Sequence, residues 1–164
     1  VFSILPDLTC KATFIFSPGE YRLPKSYVGD PIKQLSQYMT IEQIFETSSF
    51  LAIRYSFYKE KNGFVIIDKK SRKSFLSYWE LDEGSIFNDL DGGTKFLPKS
   101  YLVENKREFL IELLDAYRLK SHVSSNKFKN TIPKYPDKKK ELEKLANSLK
   151  ETDNPVLMIV RLKK

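Results

Sequence analysis

The 164 residues contain no long apolar run, and nothing approaches the ~18 consecutive apolar residues that a membrane-crossing helix requires. Cysteine is limited to Cys10 and histidine to His122. One cysteine excludes an internal disulfide and a cysteine-built metal site, and it leaves the redox compartment unreadable. One histidine, with no serine or cysteine in a glycine-flanked elbow, gives no triad pattern. The six glycines form no phosphate-cradling loop. Val1-Phe2-Ser3-Ile4 shows no charged stretch leading into an apolar core, so no secretory leader is legible there. Cys10 sits in a strand-like context and reads as a small buried hydrophobe. His122 reads as a cation near a helix C-terminus, where it suits the helix dipole.

Aromatic and basic residues are abundant. Twelve Phe, nine Tyr and a hydrophobic content of 41% argue for a folded chain that leans towards strands. Lys and Arg number 28 against 21 Asp and Glu, for a net charge of +7. Such a balance favours anionic partners. The positive residues, however, gather at 69–73, 127–140 and 163–164: a hairpin tip, a loop entering a helix, and the terminus. Solvated surface therefore outweighs a nucleic-acid face. The length fits one domain or a piece of a larger protein.

Residues 50–68 organise the chain. Leu51, Ile53, Tyr55 and Phe57 alternate with Ala52, Arg54, Ser56 and Tyr58, the period of a strand with one buried face. Asn62-Gly63 offers positive φ for a tight reversal, and 64–67 runs back. Residues 41–46 and 74–79 supply flanking strands, joined through Thr47-Ser48-Ser49 and 69–73. Four strands within about forty residues make an antiparallel meander, the pattern of one propeller blade, which a sandwich sheet or small barrel shares. Upstream, 1–4 and 10–16 read as strands, and 21–38 as a long connection with one helical turn near 32–38.

Residues 87–98 form a loop dense in acids and glycines, and 101–103 a short strand. Asn105 with Glu108 three residues on has capping-box spacing. Phe109, Leu110, Leu113, Leu114 and Tyr117 recur at helical intervals, so a helix is predicted. Residues 121–136 lack periodicity and read as a mobile loop. Asp137 caps a second helix with the apolar stripe Leu142, Leu145, Ala146 and Leu149. Pro155 starts a final strand. The continuously apolar 156–160 predicts an interior strand, covered on both faces, that closes a sheet.

Asn88, Asp89 and Asp91 are the best binding candidates. Carboxylates two apart in a glycine loop can surround calcium, which wants six to eight oxygens. No bidentate glutamate follows at calcium-loop spacing, so an Asx turn with Gly92-Gly93 is the plainer reading and no metal is assigned. Asp82-Glu83 resemble a glycosidase pair only in being two acids, and adjacent surface acids are common. Tyr55, Tyr58, Tyr78 and Trp79 suit a glycan or peptide groove, or core between sheets, with Tyr78 and Trp79 kept as binding candidates. No catalytic residue and no cofactor is assigned.

Three segments, FSPGEYRLP (16–24), NDLDGGTKFLP (88–98) and DNPVLMIVRLK (153–163), together resemble the C-terminal part of a six-bladed β-propeller family widespread in Bacteroidetes. Ser17-Pro18 departs from the Asp-Phe expected before the glycine. The resemblance covers nearly the whole chain. It implies a mainly β fold: a partial propeller of about two to three antiparallel blades with two C-terminal helices and a final closing strand. Residues 1–40 would end one blade, 41–80 make the meander, and 81–164 the last blade with a helical insertion. A blade takes ~40–50 residues, so 1–164 is expected to be a single-domain C-terminal fragment whose open sheet edge self-associates. The resemblance further implies a cell-envelope location, with peripheral membrane association through an N-terminal lipid anchor. The expected function is a non-enzymatic binding or scaffold module for a glycan or peptide, with no nucleic-acid partner. A glycan-active hydrolase or lyase is the alternative, and a nucleic-acid-binding domain comes third.

Overall fold

The computed structural model describes residues 2–17, 19–27, 36–57, 61–79 and 85–163. They form three small antiparallel sheets and three α-helices, a mainly β protein. Strands β1 (Phe2–Ile4) and β2 (Cys10–Ala12) make a two-stranded ribbon. β2 stops at Ala12, short of residue 16. Cys10 is exposed rather than buried, because every residue of that short strand faces solvent. Two 3₁₀ turns, Gly19–Tyr21 and Lys25–Tyr27, carry the chain on. The helical turn expected near 32–38 falls largely outside the described residues.

The expected meander follows, in the order β3 (Thr40–Glu46), β4 (Phe50–Ser56), β5 (Gly63–Asp68) and β6 (Ser74–Tyr78). Thr47 closes the first turn: its N–H reaches the Phe50 carbonyl at 2.9 Å, and its Oγ1 accepts the Phe50 amide at 3.0 Å. Asp68 shapes the last, its carboxylate accepting the Ser71 amide at 2.5 Å while Arg72 takes φ +60°. The sheet departs from its sequence pattern at two places. β4 buries both faces, since Leu51, Ala52 and Ile53 are consecutive and all buried, as in a central strand with cover above and below. Gly63 is no turn residue: it is the first residue of β5, paired with Tyr55, and has no positive φ. Its use is steric, because a Cβ there would lie 2.3 Å from the Tyr55 ring.

The third sheet runs β7 (Ser100–Glu104), β8 (Arg107–Leu114), β9 (Val156–Arg161). The helix expected from Asn105 is instead this hairpin and only then a helix. Asn105 and Lys106 take φ +48° and +60°, the conformations of a two-residue type I′ turn, and Glu104 pairs with Arg107. β9 pairs with β8 from Leu114↔Val156 to Phe109↔Arg161. It is an edge strand, however, and its burial alternates, with Leu157 52% and Ile159 55% exposed. The two-sided cover expected of 156–160 is absent because helices pack on one face only, against Val156 and Met158.

Helices α1 (Ala116–Ser124), α2 (Asn126–Asn130) and α3 (Pro136–Ser148) replace the two expected. Most of the segment read as a mobile loop is therefore helical. Ser125 caps α2 by accepting the Phe128 amide at 3.1 Å. α3 begins with Pro136 at its first position, so Asp137 lies inside the first turn and is not the cap. Ala116, Leu119 and Val123, three and four apart, form the buried stripe of α1. Lys120 reaches across to the Ala146 and Leu149 carbonyls at 3.2 and 2.8 Å, satisfying the C-terminus of α3. Leu97 and Tyr101 pack with Phe45, Ala52 and Phe64, which joins the meander to the third sheet.

Candidate functional site

A cleft of about 370 Å³ lies between the 87–95 loop and the helices, at the small end of the ~300–1,000 Å³ typical of ligand sites. Asx turns build the loop wall. Asn88 Oδ1 accepts the Leu90 amide at 3.1 Å, and Asp91 Oδ1 accepts Asn88 Nδ2 at 2.7 Å and the Gly93 amide at 2.8 Å. Gly92 has φ +75°, a conformation that costs other residues free energy. Gly93 has no room for a Cβ, which would stand 2.9 Å from both Asn88 Nδ2 and Asp91 Oδ1. The loop is tied down by the Lys134 and Tyr135 amides, each 2.8 Å from the carbonyls of Asp89 and Leu90.

The opposite wall is α1. Tyr117, Arg118, Ser121 and His122 fall at i, i+1, i+4 and i+5, the face turned away from the buried stripe. His122 lies 2.9 Å from the Gly92 carbonyl through Nε2, so that nitrogen carries the proton. Its ring meets Phe128 edge-on at 5.5 Å. Lys127 and Thr131 close one end, while Phe87, Thr94 and Lys95 contribute from the loop. Thr94 Oγ1 is buried without a hydrogen-bond partner among the described residues.

Of the five candidates, only Asn88 lines this cleft. Asp91 supports it from behind, and Asp89 is exposed. Tyr78 ends β6 and Trp79 follows it; neither lines the cleft. Tyr78 is exposed with the Lys61 ammonium 5.3 Å from its ring centroid. Trp79 is half-buried against the meander core, and its indole N–H reaches the Gly63 carbonyl at 3.3 Å. Tyr55 is spent covering Gly63, and Tyr58 lies outside the described residues. Among the described residues no three His, Cys, Asp or Glu side chains gather as a metal site would need. The α1 wall escaped sequence reading because its residues straddle the segments read as one helix and a loop. The i, i+4 pairs Tyr117–Ser121 and Arg118–His122 are the signal that could have revealed it.

Two buried or bridging carboxylates stand outside the cleft. Glu112, only 2% exposed on the inner face of β8, accepts the Leu97 amide at 2.7 Å; burial pushes its carboxyl above the usual range, opposed in part by that hydrogen bond and then by Arg118 and Lys99. Glu108 accepts the Ser48 amide at 2.7 Å and hydrogen bonds from the Ser48 and Tyr101 hydroxyls, which hold its carboxyl below the usual range. Burial, with the Glu108 bond second, pushes Tyr101 up to about 12.

Sheets of two, four and three strands with a helical layer on the last define the class as mainly β, and the cleft falls where loop meets helices. The chain belongs to a domain family of unknown function (DUF4934), whose model matches residues 1–161. No curated protein and no solved structure matches it.

Proposed function

We propose that this chain is a non-enzymatic binding module that takes a short glycan or peptide in the cleft between the 87–95 loop and α1. The observation that carries it is the wall's composition: amide, hydroxyl, cationic and aromatic groups on a rigidly bonded loop. His122 commits Nε2 to a backbone carbonyl, and among the described residues no hydroxyl hydrogen-bonds to its ring. That favours recognition over turnover, because a nucleophile needs a base within reach. Screening an array of glycans and short peptides with the 1–164 protein, then repeating any hit with Asn88→Ala, tests it. Binding lost in the variant is expected, and hits that ignore the substitution would sink the cleft as the site.

The three sheets are proposed to be propeller-like blades, a reading that the four-strand meander and the resemblance of 88–98 and 153–163 support. Strands β3, β6, β7 and β9 end their sheets among the described residues, which is the basis for proposing self-association through an open edge. Sedimentation at increasing concentration should show a dimer or larger species. Location in the cell envelope, with peripheral attachment through an N-terminal lipid anchor, rests on the resemblance; no helix among the described residues is long and apolar enough to cross a membrane. Fractionating cells that express the native gene product tests that location.

A further inference from the structure

The third sheet has one covered face and one bare one. The helices pack against Leu114, Val156 and Met158. Alternation turns Phe109, Ile111 and Leu113 of β8 the other way. The register sets Leu102 beside Phe109, Ile159 beside Ile111 and Leu157 beside Leu113, so six apolar side chains make one contiguous face. On it Leu102 is 47% and Leu113 53% exposed. The two ends of this face carry opposite charge. At one end Arg107 and Arg161 continue the alternation, with Lys163 two residues further on, against the single acid Glu104. At the other, Asp115 follows Leu113 by two residues on extended backbone, and the turn entering β9 adds Glu151 and Asp153 against Lys150. Among the described residues Arg107, Arg161, Lys163 and Asp115 take part in no ion pair, and the Asp115 side chain makes no capping bond to α1.

Arg107 and Asp115 stand about 27 Å apart along the strand direction, from a rise of ~3.4 Å per residue. That exceeds the ~8 Å screening length of physiological salt, so the ends do not neutralise each other within one molecule. A face with an apolar centre and one sign of charge at each end is complementary to itself. A two-fold axis lying between two such faces and crossing the strands sets the basic end of each copy over the acidic end of the other. An anionic membrane would meet the basic end well and repel the acidic one. We infer that this face binds a second copy of the chain, sheet against sheet with the strands reversed. The contact goes beyond the edge pairing proposed above, because it uses side chains of the face and not the unpaired backbone of an outer strand. Such a face buries about 500 Å² per copy, less than the ~800 Å² of a standard interface, so the dimer is weak, with a Kd of roughly 10–100 μM.

The test is sedimentation velocity of the 1–164 protein from about 5 to 500 μM, a range that brackets the expected Kd. Leu113→Lys, a change at a half-exposed site on the central strand, should weaken the dimer at least about tenfold while circular dichroism stays unchanged. Arg161→Glu and Asp115→Lys should each weaken it about threefold or more, and the two together should restore it, since the exchanged charges meet across the axis. These two changes move the net charge in opposite directions, so diffuse repulsion between basic molecules does not account for loss in both. A dimer indifferent to Leu113→Lys would overturn the face contact and leave edge pairing standing, because an edge partner does not reach the side chains of the central strand. A monomer at every concentration would overturn both. Loss in the single charge variants without rescue in the double one would overturn the reversed arrangement. Methyl shifts of Leu113 and Ile159 with phosphatidylglycerol vesicles, in a protein that never dimerises, would give the face to a membrane instead.

Discussion

At the scale of single residues, two side chains show how neighbours set a residue's meaning. Gly63 is a strand residue kept bare by the Tyr55 ring across the ladder. Gly63→Ala should cost about 1–3 kcal/mol through overpacking, although the backbone conformation suits alanine. In a Tyr55→Leu background the same change should cost less than about 1 kcal/mol, and denaturant titrations of the cycle measure the coupling. Glu112 is the second case. Its folded pKa lies above the usual carboxyl value of 4.5, so the folded state holds the proton more tightly than the unfolded one. Its favourable contribution is complete below pH 4.5 and is lost as pH rises through the folded value. Glu112→Gln keeps an acceptor for the Leu97 amide without the charge. The stability of the variant relative to wild type should therefore grow with pH above 4.5, and denaturation at several pH values checks the slope.

At the scale of elements, the 100–114 hairpin is where local pattern and outcome part. Spacing of Phe109, Leu110, Leu113, Leu114 and Tyr117 suits a helix, with Glu112 on its polar side. In the strand that forms, Glu112 shares the inner face with Leu110 and Leu114. A carboxylate there breaks the apolar alternation that signals a strand. The tertiary fold tolerates it because the Leu97 amide is waiting. The turn at Asn105-Lys106 holds two non-glycine residues at positive φ. Lys106→Gly should stabilise the protein by about 0.5–1 kcal/mol, seen as a higher midpoint with an unchanged denaturant slope. A helix at this position would respond in the opposite direction, since glycine weakens helices.

At the scale of the whole molecule, the meander and the last sheet meet through the Leu97 and Tyr101 contacts and through Glu108, whose carboxylate joins the Ser48 turn to the Tyr101 hydroxyl. Glu108→Gln should cost about 1 kcal/mol at pH 7, the low end for a charged hydrogen bond because the group lies near solvent. The folded pKa of Glu108 is lowered from 4.5, so its contribution is present above that value and lost as pH falls through the folded one. The difference between wild type and variant should shrink in acid, and a constant difference would mean that charge is not what joins the sheets. The four-strand meander, the Asx chemistry of 88–93 and the pairing of 156–160 were legible in the sequence. Period-two alternation, turn residues and an apolar run act over a few neighbours and need no knowledge of the rest of the chain. Which faces are covered, whether 109–114 is helix or strand, and the assembly of the loop with α1 and α2 into one cleft were decided by tertiary structure. Burial and charge there depend on groups tens of residues apart, and no local window contains them.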